Sequence, residues 1–253
     1  MQAHVFPASG PAVSIVIPAR NEAVRLPPSI RQIRDTFPHE PWEFIVVVEL
    51  STDGTIEAVG DAVGSDPRFH IVANPVARGK GYAVKTGMLR ARGETVFFMD
   101  ADLSVPLRYV PEFLKHAADA DVLIGSRRHP ESIIRVHQPV LREAAGRVFN
   151  HALRLSGVTR LRDTQCGFKA FSRAAAQAVF SRVEQDGFGF DVEAILIAQA
   201  IGLRLLELPV EWADVRGSKV SPLNGLAALR DAMVAARRVR RDLPRRPGGR
   251  ASS

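Results

Sequence analysis

Thr95-Val-Phe-Phe-Met-Asp-Ala-Asp-Leu-Ser104 is the stretch on which the fold turns. Four apolar residues, Val96 to Met99, run straight into two carboxylates one residue apart, Asp100 and Asp102, with the hydroxyl of Ser104 just beyond. A run this short and apolar on both faces reads as a central strand of a sheet covered on both sides. The aspartates then stand where the strand leaves the sheet. Carboxylates so close repel one another unless a cation lies between them, and hard oxygen ligands suit Mg²⁺ or Mn²⁺. A metal held there can grip a diphosphate. A turn or helix cap uses the same residues, so the flanking sequence has to decide.

Upstream, Ala12–Ala19 reads as a first strand and Glu43–Leu50 as a second buried one, with Phe69–Ala73 as a short third. Helical stretches lie between them: 22–37, regular from Pro27 and Pro28 because proline suits a first turn, and 79–92. The second opens Gly79-Lys-Gly81, where a backbone can approach an anion at a helix N-terminus. Ser51-Thr-Asp-Gly-Thr55 has the residues of a turn and helix cap. Downstream, a helix is expected near 106–118 and a strand at 121–125. Strand–helix alternation over this length predicts a parallel sheet covered by helices. Ligands bind at the carboxyl ends of such strands, which sets Pro18–Glu22, Glu49–Asp53, Asp100–Asp102 and Ser126-Arg127 along one edge. The second half is less regular. Helices are expected at 139–156, 190–201 and 221–241, a strand at 203–212, a polar loop ending in a short apolar piece at 163–169, and a loop at 214–219. In the last helix Leu223, Leu226, Leu229 and Met233 form an apolar stripe.

The 253 residues are 46% hydrophobic and 24% charged, ordinary for a soluble globular chain with room for a sizeable core. The single cysteine, Cys166, excludes an internal disulfide and a multi-cysteine zinc site, and its expected role is that of a small packed residue. No apolar run approaches the ~20 residues of a spanning helix, and no signal-type leader opens the sequence. A cytoplasmic location is the default expectation. The net charge of +7 belongs almost wholly to residues 237–253, where seven arginines face one aspartate.

The ordered motifs are I17-P-A-R-N-E22, V48-E-L-S-T-D-G-T55, R78-G-K-G81, D100-A-D102, G125-S-R127, D163-T-Q-C-G-F-K169, F190-D-V-E193 and R216-G-S-K219. Together they resemble family 2 glycosyltransferases, and within them the polyprenyl-phosphate branch that includes dolichyl-phosphate glucosyl- and mannosyltransferases. The resemblance covers roughly residues 13 to 220. It implies an α/β GT-A fold, Rossmann-like, with a mostly parallel central sheet in one domain over 1–220. A C-terminal amphipathic helix over 221–241 and a basic disordered tail over 242–253 are expected to follow. It also implies a nucleotide-sugar donor of the UDP-glucose or GDP-mannose type, inversion at the anomeric carbon, and a polyprenyl phosphate acceptor. Pro18, Ala19, Asn21, Glu22, Glu49, Lys80 and Ala101 fall at donor-binding positions, and Asp100 and Asp102 form the D-x-D pair for Mg²⁺ or Mn²⁺ and the diphosphate. Arg216, Ser218 and Lys219 lie in the late loop over the donor phosphates. Arg127 and Arg142 match positions where the branch grips the acceptor phosphate, and Arg147 is a further candidate. The pattern departs from the family at Val48-Glu49-Leu50-Ser51, usually Asp-Asp-Gly-Ser, and at Gly146, where this branch can carry serine.

Charge leaving with the nucleotide calls for a Lewis acid on Asp100 and Asp102 and fixed positive charge from Lys219 and Arg216. A phosphate acceptor needs arginines rather than a base, because its second pKa near 6 leaves it mostly dianionic. A hydroxyl acceptor needs a carboxylate base, for which Asp191 is the candidate; the same residue suits a helix N-cap. Lys80 serves equally as a solvated helix-start lysine, Lys169 as a snorkelling one, and Trp212 as core or pocket wall. The tail, beside an amphipathic helix, favours peripheral contact with an anionic membrane on its cytoplasmic face. A solvated end is the alternative, and without a recognised module nucleic acid ranks last. Transfer to a soluble phosphorylated or hydroxyl acceptor stays open, as does a non-catalytic membrane-surface scaffold. A haloacid-dehalogenase-type phosphohydrolase would want its Asp-x-Asp on the first strand, and two strand–helix units precede it here.

Overall fold

The apolar runs of the first half become strands buried on both faces in the computed structural model, which describes residues 10–155, 159–215 and 223–243. β1 (Val13–Ala19) and β2 (Glu43–Glu49) pair in parallel, and β3 (Phe69–Asn74) adds to β2 in the same sense. The alternating burial of β3 is that of an edge strand. α1 (Leu26–Thr36) carries its two prolines in the first turn, where a missing N–H is harmless. α2 (Thr55–Val63) and α3 (Lys80–Arg90) complete the crossovers. β4 (Thr95–Met99) pairs in parallel with β1, and Met99 is its last residue, so Asp100 begins the loop.

Beyond β4 the structure departs from the simple alternation. After α4 (Tyr109–Leu114) and β5 (Val122–Ser126) come β6 (Ile133–Val136) and α5 (Val140–Leu155). β7 (Phe168–Ser172) then inserts antiparallel between β4 and β5, completing with β8 (Leu205–Pro209) a seven-stranded sheet ordered β3-β2-β1-β4-β7-β5-β8. The sheet is therefore mostly parallel, with one reversed internal strand. The 163–169 stretch, expected as a polar loop with a short apolar end, runs into this strand, where Lys169 sits mid-sheet opposite Phe98 and Ile124. A charged residue there hides the apolar run from any pattern reading. α6 (Arg173–Phe180), capped by Ser172 accepting from the Ala175 N–H, follows directly.

The strand expected over 203–212 is two strands. β8 stops at Pro209, which has no N–H for a ladder, and β9 (Glu211–Ala213) pairs instead with β6 in a small separate sheet. α7 (Phe190–Ala200) is buried nearly all round, as a central helix must be. α8 (Leu223–Asp242) packs on α7 through Ala232, Ala236 and Val239. Those small residues, with Met233 partly buried beside them, form the contact. The side chains of Leu223, Leu226 and Leu229 lie outside what is described. Arg238, counted with the basic tail, turns inward from α8. It meets Glu193 at 2.5 Å and Glu184 at 2.6 Å.

Candidate active site

β1, β2, β4 and β5 all run the same way, β5 because it lies antiparallel to a strand antiparallel to β4. Their carboxyl ends therefore share one edge of the sheet, and the polar clusters after them meet there.

At the β1 end, Asn21 adopts the left-handed region (φ 53), which asparagine tolerates better than most residues. Its Oδ1 accepts the Thr52 N–H at 2.9 Å, while its own N–H donates to Ser51 Oγ at 3.0 Å. The next N–H groups, of Glu22 and Ala23, donate to Thr55 Oγ1 and Asp53 Oδ2. The β1 and β2 turns are thus laced into one wall. Glu22 binds the Arg25 fork through both oxygens. Pro18 is half-buried and Ala19 buried at the strand end.

Glu49 replaces the shorter carboxylate usual at its position, and the geometry gives the extra methylene a use. Its buried carboxylate accepts the N–H groups of Arg78 (3.0 Å) and Gly79 (2.8 Å), tying the end of β2 to the start of α3. The glycines of Arg78-Gly-Lys-Gly81 serve a close approach of backbone to backbone. A Cβ on Gly79 would lie 2.6 Å from the Asp186 carbonyl, and one on Gly81 would lie 2.3 Å from that of Gln185. The Tyr82 N–H donates to Asp186 O. Space expected for an anion at this helix start is taken by the loop before α7.

That packing aims Lys80 at the carboxylate pair. Its Nζ is 2.6 Å from Asp100 Oδ1. The Asp100 N–H donates to the Gly167 carbonyl and its own carbonyl accepts the Leu103 N–H, closing a turn with Leu103 left-handed (φ 51). Asp102 Oδ1 accepts the Ser104 N–H at 3.1 Å, and Ala101 is half-buried between the two aspartates. Burial, and then the neighbouring Asp100 charge, hold the Asp102 carboxyl above its usual range. Two hard carboxylates at one strand end, one of them raised by burial and by its neighbour's charge, suit a divalent cation. The donor set thus fits Mg²⁺ or Mn²⁺.

Gly167 makes room for this arrangement, since a Cβ there would lie 1.9 Å from Asp100 Oδ2. Gly167→Ala is accordingly expected to displace the Asp100 carboxylate and weaken Mn²⁺-supported UDP binding by up to ~10²-fold, the usual scale for an ångström of misplacement. Calorimetric titration beside a thermal melt checks this. An unchanged Kd would show that the carboxylate relaxes without loss.

Asp191, the candidate base, is buried and bound to Lys169 at 2.6 Å. Lys169 is one of the most buried large side chains in the chain. Its Nζ also donates to the Cys166 carbonyl at 2.7 Å and lies 5.1 Å from the Phe98 ring centroid. It does not snorkel. Burial raises the Asp191 carboxyl despite Lys169, and its charge also reaches Lys80. Glu193, two residues on, is also fully buried; its Oε2 accepts the N–H groups of Glu184 and Gln185 and so holds the loop that supports α3.

Arg127 is gripped by Asp163. Its Nε and Nη2 donate to the two carboxylate oxygens at 2.7 and 2.9 Å, and its N–H adds a third bond at 3.0 Å. Although burial opposes it, the Arg127 charge keeps the Asp163 carboxyl well below the usual range. The guanidinium carbon lies 5.5 Å from the Trp212 ring centroid, so Trp212 is a wall beside this arginine. Cys166, buried next to Asp163, has its thiol pushed up to about 12 by burial and that carboxylate, which suits packing and not nucleophilic chemistry. Arg147 projects from α5 and pairs with Glu143 at 2.7 Å in solvent. Arg142 lies on the same helix with its side chain outside what is described. Arg216, Ser218 and Lys219 lie outside the described residues. Arg25, Asp163, Gly167 and the Lys169 pairing were given no site role by the sequence reading. The Asp163-to-Lys169 motif hinted at all of these but Arg25.

An open α/β sheet whose central strand delivers an Asp-x-Asp pair to a polar edge, walled by the β1 and β2 turns, defines a nucleotide-sugar transferase of the GT-A type. Residues 14–180 match the family described as Glycosyl transferase family 2, and the chain belongs to that family. Among curated relatives, a dolichyl-phosphate beta-glucosyltransferase ALG5C of Trichomonas vaginalis is 32% identical over 229 residues, covering 85% of this chain and 68% of that protein. The human dolichyl-phosphate beta-glucosyltransferase is likewise 32% identical, covering 83% and 70%. Among solved structures, glucosyl-3-phosphoglycerate synthase of Mycobacterium tuberculosis superposes with a TM-score of 0.66 at 20% identity, covering 95% of this chain and 84% of that one. The same enzyme with Mn²⁺, UDP and glucosyl-3-phosphoglycerate gives 0.65 at 19%, covering 95% and 83%. These likenesses establish the GT-A fold. Among the described residues, no helix is long and apolar enough to cross a membrane.

Proposed function

We propose that this chain transfers glucose from UDP-glucose to a polyprenyl phosphate of the dolichyl type, with inversion. The observation that carries the reading is the Asp100–Asp102 pair with Lys80 at the edge where β1, β2 and β4 end, in a chain about one-third identical to dolichyl-phosphate beta-glucosyltransferases. An acceptor phosphate oxygen attacks the anomeric carbon as the bond from that carbon to the UDP oxygen breaks. The electron pair and negative charge leave with UDP. Asp100 and Asp102 would hold a divalent ion, which would supply positive charge to the leaving diphosphate. Lys80 adds fixed positive charge, and Arg216 and Lys219 are assigned the same task. Pro18, Ala19, Asn21, Glu22 and Ala101 are assigned to the nucleoside and sugar, within the wall that Asn21 and Glu49 brace.

The acceptor is its own nucleophile at neutral pH, since a phosphate monoester is mostly dianionic above pH ~6. No carboxylate base is needed, in keeping with an Asp191 already committed to Lys169. Arg127, aimed by Asp163, is assigned to the acceptor phosphate with Arg142 and Arg147. Arg127→Lys keeps the charge and loses the planar fork. The expected result is an acceptor KM raised about tenfold, the scale of one charge-assisted hydrogen bond, with UDP affinity unchanged. Steady-state kinetics with varied lipid phosphate measure it, and an unchanged KM removes Arg127 from the acceptor site. The basic segment after α8 is assigned to an anionic membrane surface, on the cytoplasmic face.

The reaction itself is tested with radiolabelled UDP-glucose, Mn²⁺ and dolichyl phosphate in detergent, with 3-phosphoglycerate as a soluble control and GDP-mannose as the rival donor. Label entering an acid-labile lipid is the expected result. Label appearing only on 3-phosphoglycerate reassigns the acceptor, and transfer only from GDP-mannose reassigns the donor.

A further inference from the structure

Lys80 occupies one oxygen of a carboxylate assigned to the divalent cation. Its Nζ sits 2.6 Å from Asp100 Oδ1, while Oδ2 of the same carboxylate lies against Gly167. The two lysines at this site are built differently. Lys169 is sealed between Asp191 and the Cys166 carbonyl with 1% of its side chain exposed, whereas Lys80 stands at the first residue of α3 with 21% exposed. On the same flexible four-carbon stem, Lys80 is thus partly open to solvent where Lys169 is not. Asp191 lies close enough to Lys80 to hold its charge. That second carboxylate keeps the ammonium in the neighbourhood when Asp100 is taken. Among the described residues, no cluster of three or more His, Cys, Asp and Glu side chains gathers into a cage for a metal. Asp100 and Asp102 would therefore hold a divalent ion together with oxygens from water or from the donor.

From this juxtaposition we propose that Lys80 is the resident counter-ion of Asp100 in the donor-free protein, and that it is exchanged onto the donor diphosphate when a divalent cation takes Asp100. The inference rests on the donor reading above and adds an order to it. Metal binds poorly alone, because it must first evict an ammonium ion. Metal and nucleotide bind cooperatively, because each makes the partner the other displaces useful, and the coupling is reciprocal. The same exchange keeps Asp100 paired between turnovers.

The test uses the full chain and two titrations. Free Mn²⁺ is measured by electron paramagnetic resonance without nucleotide, and UDP binding is measured by calorimetry with Mn²⁺ or with EDTA. Lys80→Met is expected to tighten donor-free Mn²⁺ binding about tenfold or more, the effect of removing one charge within ~4–6 Å. It is expected to weaken Mn²⁺-supported UDP binding by a similar factor. Lys80→Arg, which keeps the charge, should bind Mn²⁺ alone as poorly as the parent. Asp100→Asn gives an independent reading that does not depend on the Lys80 variants folding. With its lysine released, this variant should bind UDP in EDTA several-fold more tightly than the parent does. Donor-free Mn²⁺ affinity unchanged in Lys80→Met, or no gain for Asp100→Asn in EDTA, overturns the exchange while leaving the transferase reading intact. A parent chain that binds UDP under neither condition overturns both.

Discussion

Asp102→Ala is expected to abolish Mn²⁺-supported UDP binding and to lower glucosyl transfer by at least ~10²–10³-fold, the scale on which losing one preorganised electrostatic element acts. The fold is expected to survive. Asp102 lies in the loop after β4, its carboxylate bonded to the N–H of Ser104, and its charge is unwelcome where it stands. Its removal leaves no buried partner stranded, since Lys80 keeps Asp100. Calorimetry with UDP and Mn²⁺, paired with a thermal melt, separates the two effects. A variant that melts like the parent and still binds UDP in a metal-dependent way would falsify the assignment of Asp102 to the metal.

Lys169→Met is expected to act in the opposite manner, through stability. It leaves Asp191 charged, buried and without its nearest cation, and breaking a buried pair from one side costs about 3–5 kcal/mol. The loss carries a pH signature. Burial already holds the Asp191 carboxyl above its unfolded value despite Lys169 and Lys80, and deletion of Lys169 raises it further. A carboxyl raised in the folded state binds protons more tightly there than when unfolded. The variant therefore regains stability as pH falls through the raised folded pKa toward the unfolded value near ~3.9. Urea unfolding of parent and variant at pH 7.5 and 5.0 measures the difference, and the gap should narrow at pH 5.0. A gap of equal size at both values would mean that Asp191 is not the group left uncompensated.

The first half of the fold was legible because its signals are local. Val13–Ala19, Glu43–Glu49 and Val96–Met99 are short apolar runs that can be satisfied only between two layers, and strands separated by helices must run parallel. Pro27 and Pro28 marked a helix start because only a first turn tolerates them. The second half was legible only in part. β7 was missed because Lys169 interrupts its apolar run, and a lysine is acceptable mid-sheet only where a distant Asp191 meets it. β8 and β9 were merged because the break at Pro209 depends on which strand each half pairs with. β6, nearly all exposed, carries no pattern of its own.

The candidate site divides along the same line. Sequence alone determined that Asp100 and Asp102 end a buried strand, and that the clusters at Asn21, Glu49 and Arg127 share its edge. Residue type and spacing settle where a strand stops and on which side of a parallel sheet its end lies. Only the tertiary structure decided the pairings: Lys80 with Asp100, Lys169 with Asp191, Arg127 with Asp163, and Glu49 with the backbone of Arg78 and Gly79. A charge can be neutralised by any opposite charge the fold brings within reach, and those partners lie as many as 36 residues away in the chain. Burial makes each choice consequential, because a carboxylate removed from water must find a donor or give up its charge.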